Sequence, residues 1–134
     1  SALKTTPLTE VEEPAFISIM NKYRVLLQKH YKTEKQINFY ADQLRITPKQ
    51  LSRITEKMTG KTAKQLIIDK TIQESIRLLS HSMLTITEIS RELGSENESN
   101  FSLFFKKHYG IPPSQFRQNI FKSDGGTEEP VKID

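Results

Sequence analysis

Two stretches of this chain repeat each other, and that repeat restricts the fold more than any other feature. Ile37, Ala41 and Leu44 recur 49 residues later as Ile86, Ser90 and Leu93. After one inserted residue the offset becomes 50, and Leu51, Ile54, Lys57, Gly60, Gln65 and Leu66 return as Phe101, Phe104, Lys107, Gly110, Gln115 and Phe116. Most matched positions are apolar and lie three or four residues apart, the spacing of a helix that buries one face. Each copy reads as a short helix, a tight turn, a second amphipathic helix and a glycine that stops it, which is the helix-turn-helix pattern.

The rest of the chain carries the same period, and no segment alternates as a strand would. Phe16, Ile19, Met20, Tyr23, Leu26, Leu27 and His30 form a stripe between residues 14 and 31. Ile68, Ile72, Ile76 and Leu79 form another, on a long connecting helix from about Thr62. Four sites show a Thr followed three residues later by Gln or Glu, the capping-box signature of a helix start: Thr33/Gln36, Thr47/Gln50, Thr62/Gln65 and Thr85/Glu88. Pro48 follows its Thr as a first-turn proline. The expected fold class is all-α.

Charge is distributed unevenly. The net charge is +4 over 134 residues, but residues 14–121 hold 17 Lys/Arg against 9 Asp/Glu, a net of +8, between two ends of −2 each. A basic helical body suits an anionic partner. Residues 1–13 are expected to be a linker, with Ser1-Ala2 a candidate cloning remnant. Residues 122–134, with Gly125-Gly126 and four acidic side chains, are expected to be a disordered acidic tail. No apolar run approaches a membrane span and no secretory pattern opens the chain, so the expected compartment is the cytoplasm. The absence of cysteine removes disulfides, thiolate nucleophiles and cysteine-ligated zinc.

Nothing in the sequence assembles catalysis. His30, His81 and His108 lack metal-ligand spacing, and Gly60, Gly94 and Gly110 read as helix ends rather than a phosphate loop. The serines lie outside any nucleophile-elbow context, and the acidic residues are scattered. No enzyme activity, metal or cofactor is expected.

The two copies read FYADQLRITPKQLSRITEKMTGKTAKQLI and LTITEISRELGSENESNFSLFFKKHYGIPPSQFR. The second holds an I-x-E-I start, Gly94, Ser99-Asn100-Phe101 and then FFKKHYG-x-PP-S-x-F-R. From about Phe39 to Arg117 the chain resembles the DNA-binding domain of the AraC/XylS transcription regulators. With the preceding helix the resemblance covers about 14–121. It implies seven helices, forming two helix-turn-helix subdomains joined by a long central helix. It implies sequence-specific binding of a double-stranded promoter or operator, with two recognition helices in successive major-groove segments. It also implies a sensing or dimerising domain on the N-terminal side and contact with RNA polymerase, to which no residue can be assigned.

The second helix of each copy is the expected recognition helix. On the first, Leu51, Ile54 and Met58 share the buried face and leave Lys49, Gln50, Ser52, Arg53, Glu56 and Lys57 outside. Arg53 is the leading base reader, because a guanidinium bonds bidentately to guanine O6 and N7. Gln50 suits adenine, although its capping box competes for the side chain. The resemblance places typical base readers at Lys49, Ser52 and Arg53. On the second, Phe101, Phe104, Phe105 and Tyr109 are expected inside, with Ser99, Ser102 and Leu103 offered to bases and Lys106 to phosphate. Leu103 departs from the family, which usually has a polar residue there. Leucine can at best touch a thymine methyl, so this half is expected to read less stringently. Thr55 and Ser95, where aromatics are common, suggest a looser core. Further phosphate contacts are expected from Lys35, Lys57, Lys61, Thr62, Thr85, Thr87, Ser114 and Gln115. The competing reading, favoured by Leu103 alone, is a helical protein-interaction domain that kept the scaffold.

Overall fold

In a computed structural model, residues 12–125 are described, and their secondary structure is entirely helical. Seven helices follow in order: α1 (Glu12–His30), α2 (Ile37–Leu44), α3 (Pro48–Thr59), α4 (Ala63–His81), α5 (Ile86–Glu92), α6 (Glu98–Tyr109) and α7 (Pro113–Gly125). The chain divides into two compact units at Lys70/Thr71, within α4.

In the first unit α1, α2 and α3 pack on one another. Tyr23, Leu27, Tyr40, Ala41, Leu51, Ala63 and Ile67 are buried together, and Phe16, Met20 and Ile54 form a second cluster beside Ile46, Met58 and Leu66. Tyr23 and Tyr40 meet edge to face, with centroids 5.4 Å apart. Each hydroxyl finds a carbonyl: Tyr23 donates to Ala63 at 2.7 Å and Tyr40 to Glu34 at 2.8 Å. Burial raises both phenol pKa values, Tyr40 to about 12, with the Glu34 charge adding to the effect there.

The second unit is built on phenylalanine. Phe101, Phe105 and Phe116 are buried with Leu78, Leu79, Ile89 and Leu93, and α6 packs against α5 and α7. The Arg117 guanidinium is tied to four carbonyls: Nε donates to Leu79 (3.0 Å), Nη1 to Leu84 (2.6 Å), and Nη2 to Leu78 (3.2 Å) and Ser82 (3.3 Å). It thereby closes the C-terminus of α4, where orphan carbonyls and the helix dipole favour a cation, and fixes the turn into α5. Desolvation lowers its pKa without discharging it.

The repeat is visible in the backbone bonds. Ile46 N–H donates to Ala41 at 3.0 Å, and Ser95 N–H to Ser90 at 2.9 Å. Leu51 N–H reaches Thr47, as Phe101 N–H reaches Asn97. Gly60 and Gly110 end α3 and α6 in the same left-handed cap. The inserted residue lies in the second turn, which runs Gly94-Ser95-Glu96-Asn97 where the first runs Arg45-Ile46-Thr47. Arg45 and Gly94 adopt matching positive φ angles of 60° and 80°.

Several boundary expectations need correction. Thr47/Gln50 and Thr85/Glu88 form complete capping boxes. Thr62 only half completes its box: its hydroxyl accepts from Gln65 N–H at 3.1 Å, while the Gln65 amide donates instead to Asp69 at 2.8 Å. Thr33 caps nothing, because its N–H and that of Glu34 turn back onto the His30 carbonyl at the end of α1, and Gln36 takes the N-cap position of α2 with no side-chain bond. Glu12 and Glu13, assigned to a linker, form the first turn of α1. Residues 122–125, assigned to a tail, continue α7. The rest of both terminal segments, 1–11 and 126–134, lies outside the described residues. Thr55 is fully buried, with its hydroxyl satisfied by the Ser52 carbonyl at 3.1 Å.

Candidate nucleic-acid interface

The first candidate recognition helix, α3, starts on a rigid footing. Thr47 accepts from Gln50 N–H at 3.0 Å, Gln50 Oε1 accepts from Thr47 N–H at 2.9 Å, and Pro48 holds the first turn. This capping occupies the Gln50 carbonyl oxygen and leaves its amide donors on the exposed side of the helix. Leu51, Ile54 and Thr55 point into the core. Lys49 and Arg53 are exposed and four residues apart, and Ser52 is half-buried between them. Lys57, expected outside, is half-buried, with Nζ covered and without a hydrogen-bond partner among the described residues.

The second candidate, α6, begins at Asn97, whose side chain accepts from Asn100 N–H at 2.8 Å. Its first turn is occupied locally: Thr87 Oγ1 donates to Glu98, and the Asn100 amide donates to Glu96 at 3.2 Å. Phe101 and Phe105 are buried. Tyr109, expected inside, is 44% exposed: its ring stacks on Phe105 and meets Phe116 edge to face, and the rest of it is left uncovered. The outward face carries Ser99, Leu103 and Lys106, with Ser102 half-buried. Leu103 is 68% exposed.

The expected phosphate donors fall into two groups. Ser114 and Gln115 are exposed at the start of α7, Thr62 and Thr85 at helix starts where they also cap, and Lys106 near the end of α6. Others have internal partners. Lys61 pairs with Asp69 at 2.7 Å, and Thr87 is held by Glu98. Lys35 donates to the Tyr31 carbonyl at 2.6 Å beside the Tyr31 ring, and burial lowers its pKa.

Sequence reasoning missed two contacts. The Arg53 guanidinium lies over the Phe16 ring, 5.3 Å from its centroid, and pairs with Glu12 at 3.4 Å. The Arg117 clip links α7 to carbonyls more than thirty residues earlier. Neither has a local sequence signal, since long side chains meet across large separations. Among the described residues, no group of three or more His, Asp or Glu is placed to hold a metal, and no helix is long and apolar enough to cross a membrane.

Two units, each pairing a short helix with a capped and outward-facing second helix, define a tandem helix-turn-helix domain. A family model described as a helix-turn-helix domain matches residues 40–119. The chain belongs to the AraC/XylS-type helix-turn-helix family of DNA-binding transcription regulators. It is 29% identical over 116 residues to the Msm operon regulatory protein of Streptococcus mutans, spanning 85% of this chain and 42% of that protein. This chain thus corresponds to less than half the length of that relative. Among solved structures, the C-terminal domain of AraT, a response regulator from Geobacillus stearothermophilus, superposes with a TM-score of 0.68 at 28% identity, covering 75% of this chain and 84% of that one. The DNA-binding domain of AdpA, solved in complex with a target DNA, shares the fold with a TM-score of 0.68 at 16% identity, covering 78% and 93%.

Proposed function

We propose that this domain reads duplex DNA through α3 and α6, each laid in its own major-groove segment, and so directs a transcription regulator to its operator. The observation that carries this reading is the exposed Lys49–Arg53 edge of a helix whose opposite face is locked into the core. Lys49, Gln50, Ser52 and Arg53 supply the base contacts of the first half-site, and Ser99, Ser102 and Leu103 those of the second. Lys106, Thr62, Thr85, Ser114 and Gln115 meet phosphates as they stand. Lys35, Lys57, Lys61 and Thr87 must first exchange their present settings for phosphate. The body is residues 14–121, extended at both ends by helical turns. The role is binding rather than catalysis, and its place is the cytoplasm, where the DNA and RNA polymerase are. A sensing or dimerising domain precedes it in the full protein, and RNA polymerase is a partner.

Fluorescence anisotropy against a duplex selected from a random pool, repeated at several salt concentrations, tests the reading. Log affinity is expected to fall against log salt by about 0.9 per neutralised phosphate; a flat line would remove DNA as the partner. Arg53→Ala is expected to cost about 1–3 kcal/mol on the selected duplex and much less on a scrambled one. Equal losses would make Arg53 a phosphate contact.

A further inference from the structure

Arg53 carries most of the proposed reading, yet its guanidinium does not stand free on α3. It rests on Phe16 and donates from Nη2 to Glu12 Oε2. Both partners come from the first turns of α1. Phe16 is buried with Met20 and Ile54, so the surface beneath the guanidinium is fixed by the core. Glu12 sits where the α1 dipole favours a carboxylate. Only Nη2 is engaged; Nε and Nη1 take no hydrogen-bond partner among the described residues, and the Arg53 side chain remains 48% exposed. The contact therefore holds the group against α1 and leaves donors for an acceptor.

We infer that Glu12 and Phe16 are positioning residues for Arg53, holding its guanidinium ready for guanine before DNA arrives. The inference rests on Arg53 being a base reader. Magnitudes separate positioning from blockade. An exposed single-contact ion pair is worth about fivefold at most in an equilibrium constant, whereas a bidentate guanine contact is worth from about fivefold to more than a hundredfold. Glu12 cannot withhold Arg53 from guanine, but it can reduce the rotamer freedom that a long side chain loses on binding.

The test is Glu12→Gln in the full 134-residue chain, titrated against the selected duplex and a scrambled duplex of equal length. Removing a negative charge strengthens binding to both, so the ratio of the two affinities decides. That ratio is expected to fall roughly twofold to fivefold, and to be unaffected by Glu12→Gln when Arg53 is already alanine. A ratio that holds or rises overturns the inference, as does a fall that persists without Arg53. If Arg53→Ala alone weakens both duplexes equally, the base-reader assignment fails first, and this inference fails with it.

Discussion

The candidate recognition helices α3 and α6 occupy matching places in the two repeats but present different chemistry. On α3 the outward edge holds Lys49 and Arg53, with Arg53 braced from α1. On α6 the same face holds Ser99 and Leu103, and the acidic and amide groups of its first turn are spent on Thr87 and Glu96. The cores differ as well: the first unit buries tyrosines whose hydroxyls bond backbone carbonyls, the second buries phenylalanines and ties its backbone with Arg117. At the position of Arg117 the first repeat has Ile67, which is buried. Duplication has preserved what the helix-turn-helix needs to form, namely its caps, turn bonds and apolar spacing. What faces outward, and how each core is fastened, has diverged.

The fastening difference can be broken directly. Arg117→Ala would leave the carbonyls of Leu78, Leu79, Ser82 and Leu84 without their charged donor, and is expected to cost about 3 kcal/mol. Hydrogen exchange should show protection lost in α5 and α6 and retained around Tyr23 and Tyr40; a loss spread evenly, or below about 1 kcal/mol, would mean the clip is dispensable. The turns allow a smaller, reciprocal comparison. Arg45 holds a left-handed conformation that Gly94 adopts at no steric cost. Gly94→Ala is expected to destabilise by about 1 kcal/mol and Arg45→Gly to stabilise by somewhat less. Urea unfolding measures both, and a destabilising Arg45→Gly would show that the arginine side chain matters more than its φ.

Helix identity and two of four capping boxes were legible because they depend on spacing within one or two turns, and the repeat because its residues return at a nearly constant offset. Thr33 misled because a Thr-x-x-Gln match does not reveal where the previous helix stops: the chain was still closing α1 on His30. Tyr109 misled because aromatic periodicity does not register how much of the ring the neighbouring Phe105 and Phe116 leave uncovered. Lys57 matched the outward pattern, yet its Nζ is covered, which spacing along a helix does not register. The candidate base readers were legible as a face of a helix. Their setting was not, since the Glu12–Arg53 pair joins residues 41 positions apart.

Leu103 gives the sharpest remaining comparison between the halves. Its side chain is 68% exposed, so replacing it leaves the core intact and any change in binding reports the surface. If α6 lies in the groove, Leu103→Arg places a cation beside bases and phosphates, and affinity should rise about threefold on selected and scrambled duplexes alike, with the salt slope steeper by about 0.9. The selected sites should then also shift from a thymine toward a guanine at the position facing this residue. If affinity, slope and selected sites are all unchanged, α6 does not enter the groove. An exposed leucine kept on that face would then be the contact point for a protein, and DNA reading would belong to the first unit alone.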